Sequence, residues 1–364
     1  MSSSPYTNLP KRQFWRSAVA EDHVLSTANL WQKKFDISLD DRIASAGSCF
    51  AQHISRRLLK SGYNFVDVEL APSALPKELH TKFGYATYSA RYGNIYTTAQ
   101  LIELAEEAMG MRPSLDYSWE KDGRFYDPLR PNVEPNGLDS LEEVMFHRQY
   151  HLKKVRELLE NCDLFVFTFG LTEAWICKKS GRTLPTAPGT IAGDYQPDNY
   201  EFKNYTHAKI QSDFVRFMEL LWSIQKKRNC RFLITVSPVP LTATATNNHV
   251  LVATTYSKST LRSVAGELFD QYNEVDYYPS YEIITSPWSR GMFYEPNLRS
   301  VAAAGVDAAM RPFFMEHTLS NQPVTQANRK FESTRMARPA QPATVPVADD
   351  DVVCEDALLE GFSK

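Results

Sequence analysis

The chain has few cysteines and little net charge, and each of these shortages excludes a class of protein. Its five cysteines among 364 residues are widely separated and include no CxxC pair and no histidine at zinc spacing. We therefore expect neither a structural metal site nor a disulfide framework. The formal net charge of −3 does not favour binding to nucleic acid or to an anionic membrane, so we expect neither as a partner.

The sequence also lacks a long apolar run. The polar residues 1–5 and the basic side chains of Lys11, Arg12 and Arg16 are followed by no apolar core of signal-peptide length, and no later stretch is long enough to span a membrane. We expect a soluble cytoplasmic protein without a membrane span. No pattern in the sequence specifies an oligomeric state.

Short apolar runs alternate with amphipathic stretches along most of the chain. This alternation predicts one parallel, doubly wound α/β sheet. Strands are expected at the following positions: residues 42–47, 63–70, 163–169, 231–236 and 275–278. A last helix is expected at residues 301–314.

The domain organisation follows from changes in composition. We expect an N-terminal arm at residues 1–40, an α/β domain at 41–317 and a disordered acidic tail at 318–364. Two long loops, residues 71–145 and 178–205, are expected to cover the site; the first contains a helical pattern at residues 98–109.

Ligands of such sheets bind at the carboxyl ends of the strands. Three predicted strands end in small or polar residues, namely 47–49 (GSC), 170–173 (GLTE) and 237–240 (SPVP), and Gly93 and Asn94 precede a helix. Together these positions could supply a nucleophile, oxyanion donors from Gly93 and Thr172, and an acid from Glu173. The alternative is structural, with turn glycines and with Thr172 and Glu173 capping a following helix.

Two side chains capable of nucleophilic attack, Ser48 and Cys49, follow Gly47 where a strand turns into a helix. The backbone N–H groups of such a turn favour a thiolate or a developing oxyanion. The alternatives are that the three residues suit a tight turn for steric reasons, and that Cys49 is a small buried apolar residue.

Six ordered blocks carry a resemblance to a known family. They are 47–51 (GSCFA), 93–97 (GNIYT), 169–175 (FGLTEAW), 236–239 (VSPV), 256–258 (YSK) and 278–282 (YPSYE). Across roughly residues 40–315 the chain resembles the GSCFA domain family, which is grouped with the SGNH/GDSL hydrolases. The resemblance implies a three-layer α/β/α, flavodoxin-like (SGNH-type) parallel sheet with long insertion loops. It also implies ester hydrolysis or acyl transfer, often on glycans.

The resemblance places Cys49, rather than Ser48, at the position of the nucleophile. It also reveals a departure, because Asn297 and Ser300 stand where these enzymes carry the Asp and His of a DxxH element. Neither side chain is a base near neutral pH. The general base must therefore come from elsewhere.

Among the histidines, His249 is the main candidate for that base, since it follows the Thr- and Asn-rich loop 242–248 next to a strand end. His53, four residues after Cys49, and His147 are weaker candidates. Glu173 or Glu282 could orient an imidazole.

Substrate binding is expected to involve the small and polar residues of the strand ends and the cations that border them. The expected binding residues are Gly47, Asn94, Gly170, Lys258 and Arg262, with Arg290 and Arg299 nearby. These cations either are ordinary solvated surface residues or hold an anionic group such as the phosphates of an acyl-CoA or a sugar acid.

The sequence therefore predicts an esterase or O-acyltransferase that acts on a carbohydrate or glycolipid through an acyl-enzyme on Cys49. No cofactor is required, and acetyl-CoA is a candidate acyl donor. Cytoplasmic placement would favour acyl transfer. A second hypothesis is a non-catalytic glycan- or anion-binding protein on a decayed SGNH fold. Metal-dependent hydrolysis is disfavoured because no His, Asp and Glu cluster has ligand spacing.

Overall fold

The computed structural model describes residues 4–26, 29–226, 229–317 and 354–363, apart from the side chain of Asp356. Within these ranges the strands are β1 (Ile43–Gly47), β2 (Trp119–Lys121), β3 (Arg124–Tyr126), β4 (Leu164–Phe169), β5 (Glu173–Cys177), β6 (Arg182–Leu184), β7 (Tyr200–Asn204), β8 (Arg231–Val236) and β9 (Val275–Tyr277). The α-helices are α1 (Phe50–Lys60), α2 (Thr98–Ala108), α3 (Leu141–Asn161), α4 (His207–Ile224), α5 (Val250–Gln271), α6 (Ser280–Thr285) and α7 (Ala303–Glu316). In the part of the chain so described, no helix combines the length and the apolar character needed to cross a membrane.

The central sheet is parallel, in the order β1-β4-β8-β9. Side chains of a strand alternate between the two faces of its sheet, so β4 separates two cores. Phe165, Phe167 and Phe169 pack on one face, in the core that includes α4 and α5, whereas Leu164 and Val166 belong to the core that includes α1 and α7. The predicted parallel α/β fold is confirmed, with helices on both faces of the sheet.

The strand predicted at residues 63–70 is reduced to a single parallel bridge between Phe65 and Ile43. The Val66 N–H still donates to the Ile43 carbonyl, but the Val68 N–H donates to Ser89 O in the first insertion. The backbone therefore leaves the sheet after one bridge. Counting that bridge as a strand, the parallel elements lie in the order 2-1-3-4-5, which is the flavodoxin-like order.

The two predicted loops contain more regular structure than we expected. In the first, helix α2 agrees with the pattern at residues 98–109 and begins with a capping box between Thr97 and Gln100, and strands β2 and β3 form an antiparallel pair. The expectation of a plain loop at residues 178–205 is wrong, because β5, β6 and β7 form a three-stranded antiparallel sheet.

A buried ionic network fixes the first insertion to the rest of the domain. The Arg148 guanidinium on α3 bonds Glu107 of α2 at 2.5 Å and Asp127, just after β3, at 3.0 Å. Arg182 of β6 pairs with the same Glu107. These charged side chains are almost fully buried, so each depends on its partners for the hydrogen bonds that water would otherwise supply.

Both ends of the described chain pack onto the domain. In the N-terminal arm, Trp31 is buried against Tyr278 and Phe313. The last helix expected at residues 301–314 is α7, shifted by two residues. Of the tail expected to be disordered, residues 318–353 and 364 lie outside the described residues. Residues 354–363 differ from the expectation, because they include a 3-10 helix, Glu355–Phe362, whose Glu355 is only 2% exposed.

Candidate active site

The site begins at the turn after β1, where Gly47 is required by geometry. Its φ of 146° lies in a region that favours glycine, and a Cβ there would come within 2.7 Å of the Thr168 carbonyl oxygen on β4. The Gly47 carbonyl accepts the Ile95 N–H at 2.9 Å. This turn therefore brings the block around Gly93 up to the end of the central sheet.

Cys49 is the N-cap residue of α1 and is 5% exposed. It lines a small pocket at the carboxyl ends of β1, β4 and β8. The other residues that line it are Ser48, Tyr96, Gly170, Leu171, Ser237, Val239, Pro240, Lys258, Arg299 and Cys354. The structure thus brings all three predicted strand ends to one pocket, together with the end of the chain.

Gly170 allows the strand ends to approach each other closely. A Cβ on Gly170 would lie 2.9 Å from the Ser48 Cβ and 3.0 Å from the Tyr96 carbonyl oxygen. The N–H groups of Gly170 and Leu171 both donate to that Tyr96 oxygen, and the buried Lys258 ammonium donates to the Gly170 carbonyl at 2.7 Å. These bonds hold Tyr96 and Lys258 beside the thiol.

Two buried hydroxyl groups at the site have no hydrogen-bond partner among the described residues, those of Ser48 and Thr172. The Thr172 backbone N–H donates to the Ser257 hydroxyl at 3.1 Å, and the fully buried Thr172 side chain is not among those that line the thiol pocket. An unpaired buried hydroxyl is costly, and such groups are often explained by function.

The alternative role for Thr172 and Glu173, as caps of a following helix, is wrong, since β5 begins at Glu173. The Thr244 hydroxyl donates to the Glu173 carboxylate and lies 2.8 and 3.0 Å from its two oxygens. Glu173 therefore faces the loop at residues 242–248, and a role of Glu173 in orienting a histidine remains a prediction.

Asn94 is held in one orientation by its neighbours. Its Oδ1 accepts from Gln52 Nε2 at 3.2 Å and from the Tyr88 hydroxyl, which directs Nδ2 toward Glu355. The neighbouring Gly93 has a φ of 70°, and a Cβ on it would meet the Asn132 side chain at 2.9 Å.

Glu355 comes from the C-terminal segment and is buried beside this block. Its carboxylate accepts hydrogen bonds from the Asn94 amide and, at 2.8 Å, from the Tyr96 hydroxyl. Burial raises the pKa of Glu355 to about 7, and the hydrogen bonds from Asn94 and Tyr96 offset part of that rise. The preceding residue, Cys354, lines the thiol pocket, where Arg299 Nη2 lies 3.7 Å from its sulfur.

Sequence reasoning missed Tyr96, Cys354 and Glu355. Tyr96 lies inside one of the recognised blocks but had no assigned role. The other two fall in a stretch whose acidic composition is typical of disorder. The apolar residues Leu358, Leu359 and Phe362 are a local sign that this stretch packs on the domain.

No histidine is among the residues that line the thiol pocket. His249 is exposed, and its Nδ1 accepts the Leu251 N–H at the start of α5. His53 lines a separate groove beside α7, and His147 Nδ1 lies 3.6 Å from the Glu134 carboxylate. A base role for His249 remains a prediction that would require movement of its loop.

The cations divide into two groups. Lys258 and Arg299 line the thiol pocket. Arg262 instead bonds Glu282 at 2.5 Å and lies over the Tyr277 ring, and Arg290 is exposed. The structure therefore brings Lys258 to the nucleophile but directs Arg262 and Glu282 to each other.

The positions where an Asp and a His were expected form a turn at the surface. Asn297 Oδ1 accepts the N–H groups of Arg299 and Ser300, and Asn297 Nδ2 donates to the Ser300 hydroxyl at 3.0 Å. Asn297 and Ser300 are exposed, whereas Arg299 between them reaches the pocket. Within the described ranges, no group of three or more His, Cys, Asp or Glu side chains is placed to hold a metal ion.

A larger cavity of about 240 Å³ adjoins the thiol pocket and shares Tyr96 and Leu171 with it. Its wall includes the aromatic rings of Trp175 and Phe202 and the Glu173 carboxylate. Leu359 of the C-terminal segment also lines this cavity. Aromatic rings beside a carboxylate form a surface on which a sugar ring can stack and donate hydrogen bonds.

Comparison with known proteins agrees with the residue blocks. The sequence profile described as the GSCFA family matches residues 42–313, which is more than half of the chain. Searches of curated proteins and of solved structures found no match. The matched range begins at the residue before β1 and ends within α7, so it contains the whole central sheet and the residues that line the thiol pocket, except Cys354. The chain therefore belongs to the GSCFA family.

Proposed function

We propose that this protein is an acyl-ester enzyme, an esterase or an O-acyltransferase, that acts on a carbohydrate or glycolipid through a covalent acyl-enzyme. The observation that carries this proposal is the position of Cys49, at the N-terminus of α1 and in a pocket built from three strand ends. A nucleophile at this place in a parallel α/β sheet is typical of acyl-transfer enzymes. Membership of the GSCFA family supports the same class of reaction.

Cys49 is a better nucleophile for this pocket than Ser48. The positive end of the helix dipole and the cations Lys258 and Arg299 favour a thiolate over a neutral thiol. A serine hydroxyl needs an adjacent base to become comparably reactive, and the Ser48 hydroxyl has no hydrogen-bond partner among the described residues.

In the first step the Cys49 thiolate attacks the acyl carbonyl carbon, and the carbonyl oxygen becomes an oxyanion. The donors proposed for that oxyanion are the Thr172 hydroxyl and the backbone N–H groups of Gly93 and Cys49. The intermediate then collapses, the bond to the leaving group breaks, and the acyl group remains on Cys49 as a thioester.

The residues of the pocket favour a thioester donor. From an acyl-CoA donor the leaving group is the CoA thiolate, which needs no proton from the enzyme, whereas from a sugar ester the leaving group is an alkoxide, which needs one. Since no histidine lines the pocket, the first case suits it better. Transfer of the acyl group to an acceptor hydroxyl then requires a base, and Glu173 supplies the carboxylate in the adjoining cavity.

An assay with acetyl-CoA and with p-nitrophenyl acetate tests this function. Replacing the nucleophile, Cys49→Ala, should abolish turnover of both donors. Cys177→Ala is the matched control, because Cys177 is also a buried free cysteine but lies on β5, away from the pocket. Turnover that survives Cys49→Ala unchanged would rule out the mechanism.

A second candidate function is glycan or anion binding without catalysis. It is favoured by one observation: Asn297 and Ser300 form an exposed turn at the place where a catalytic Asp and His were expected. It predicts that neither donor acylates Cys49 and that Cys49→Ala still binds glycan or phosphate. Detection of an acyl group on Cys49 would exclude it.

A further inference from the structure

We propose that residues 354–362, the C-terminal plug, close the candidate active site and that substrate enters only after the plug leaves. This inference goes beyond the proposed function, because it concerns access to Cys49 whatever reaction occurs there. The plug is the part of the C-terminal segment that contains Cys354 and the 3-10 helix Glu355–Phe362.

The space beside Cys49 is narrow. The space beside Cys49 measures about 10 Å³. A single water molecule needs a space of at least roughly 10–15 Å³, so an acetyl group has no room beside the thiol unless the walls move. Cys354 forms part of the wall, and Cys49 is only 5% exposed.

The plug is anchored at the polar block that includes the proposed oxyanion donor Gly93. Glu355 Oε2 is held by the Asn94 amide and by the Tyr96 hydroxyl, and its Oε1 lies 3.6 Å from the position that a Cβ on Gly93 would take. A carboxyl group presents the same planar C=O as an ester. The plug therefore places a group resembling the reacting part of the substrate close to where that part would bind.

The same segment also covers the adjoining cavity. Leu359 lines that cavity, while Cys354 lines the thiol pocket, and the two spaces share Tyr96 and Leu171. Cys354 and the helix that follows it thus contribute to the walls of both spaces.

Several side chains of the plug face solvent. Leu358 and Phe362 are 51% and 65% exposed, and Glu360 also faces solvent. The 3-10 helix has poorer hydrogen-bond geometry than an α-helix. Segments with few buried apolar contacts open with low free energy, which suits reversible docking. A base role for Glu355 does not fit, because substrate cannot reach the thiol while Cys354 and Glu355 are docked.

Point variants of the full-length chain test this inference. Glu355→Lys places a cation in a buried position next to the Asn94 amide, and Leu359→Asp places a charge in the cavity; both should expel the plug. Glu360→Lys is the matched control, since this residue is in the same helix but exposed. The measurement is the rate at which iodoacetamide modifies Cys49, followed by peptide mass spectrometry with Cys177 as an internal reference.

We expect Cys49 to be modified at least tenfold faster in Glu355→Lys and Leu359→Asp than in the wild type, and at the wild-type rate in Glu360→Lys. Equal rates in all four proteins would overturn the proposal. The reaction with iodoacetamide needs no substrate. An inactive enzyme would therefore still report on the plug, and its inactivity would count only against the proposed function.

A shortened chain, residues 1–353, provides a second test that does not depend on either buried substitution. Cys49 should react quickly in this chain, and a synthetic peptide of residues 350–364 should slow the reaction. The same peptide carrying Glu355→Lys should have no effect. Slow modification of Cys49 in the folded shortened chain would contradict the proposal. Circular dichroism identifies the variants that are folded, and the modification rates of those folded variants support or contradict the proposal.

Discussion

The Tyr96 hydroxyl donates a 2.8 Å hydrogen bond to the Glu355 carboxylate, joining two residues that are 259 positions apart in the chain. Tyr96 also accepts, through its carbonyl oxygen, the N–H groups of Gly170 and Leu171 at the end of β4. One residue therefore connects the central sheet to the C-terminal plug. A substitution at Tyr96 should therefore change the rate at which Cys49 reacts.

Removing that hydroxyl should loosen the plug. Tyr96→Phe deletes one of the two side-chain hydrogen bonds to the Glu355 carboxylate. A hydrogen bond to a charged group contributes about 1.5–3 kcal/mol, so iodoacetamide should modify Cys49 roughly tenfold faster or more. Tyr205→Phe, whose hydroxyl contacts the Thr183 hydroxyl instead, is the control and should leave the rate unchanged. A wild-type rate in Tyr96→Phe would show that this bond does not hold the plug.

Docking of the plug should weaken as the pH rises. The Glu355 carboxyl has a pKa of about 7 when docked, against an ordinary value of 4.5 when free. Between these values the docked state binds more protons than the free state, so affinity falls as the pH rises from 4.5 to about 7 and then becomes constant. Each unit of difference between the docked and free pKa values corresponds to a tenfold change in affinity, so the total fall in affinity should exceed tenfold.

Calorimetric titration of the shortened chain with the 350–364 peptide measures this dependence. The other titratable side chains that face this carboxyl or line the adjoining pocket are Tyr88, Tyr96, Cys49, Cys354, Lys258 and Arg299. The ordinary pKa values of the tyrosine, lysine and arginine side chains lie above the window, and Cys49→Ala in the shortened chain removes the thiol that the pocket favours as a thiolate. A peptide with Glu355→Gln should therefore bind with constant affinity from pH 4.5 to 7, and an equal pH dependence in both peptides would refute the assignment to Glu355.

The turn that carries the nucleophile should tolerate no side chain at Gly47. In Gly47→Ala the new Cβ would lie 2.7 Å from a backbone oxygen at a φ of 146°. Overpacking and backbone strain together should lower the free energy of unfolding by about 3 kcal/mol or more. Gly181→Ala separates the two effects, because Gly181 has a φ of 65° but nothing within 4 Å of its Cβ position. That control should lose only about 1–2 kcal/mol in urea unfolding. Equal losses would show that the contact with Thr168 is unimportant.

The buried ionic network should be essential for stability. Arg148→Met leaves the carboxylates of Glu107 and Asp127 without their main partner in an environment that excludes water. Breaking a buried ion pair by removing one side costs about 3–5 kcal/mol. Arg156→Ala, which breaks an exposed pair with Glu160 on the same helix, should cost less than about 1 kcal/mol. Similar urea midpoints for the two variants would disagree with this account.

Much of the sheet could be predicted from sequence, because a buried parallel strand needs apolar residues on both faces. The run at residues 163–169 has that property and forms β4. The segment at 63–70 has a strand-like composition, but the Val68 N–H donates to Ser89 in the first insertion and not to β1. A local sequence pattern does not reveal such a tertiary contact. The sheet of β5, β6 and β7 was missed for a similar reason, since three prolines and three glycines interrupt the stretch of residues 178–205, which contains two of its strands.

The site was predictable where it rests on strand ends and not where it rests on distant contacts. Residues 47–49, 170–173 and 237 follow strands, and parallel topology brings them together. His249 follows the same logic, yet the structure uses it to cap α5. The position of Glu355 depends on hydrogen bonds from the side chains of Asn94 and Tyr96. From its acidic composition alone, the segment was expected to be disordered and exposed to solvent.

The central claim is that Cys49 carries the acyl group. The wild type and the Glu355→Lys variant are incubated with acetyl-CoA or p-nitrophenyl acetate, and the reactions are quenched in acid. The most direct measurement is then the mass of the peptide that contains Cys49. The account predicts an acetyl group on Cys49 that hydroxylamine removes, that forms faster in Glu355→Lys, and that is absent in Cys49→Ala. Turnover of donor without an adduct on Cys49, or an adduct on Ser48 instead, would contradict it.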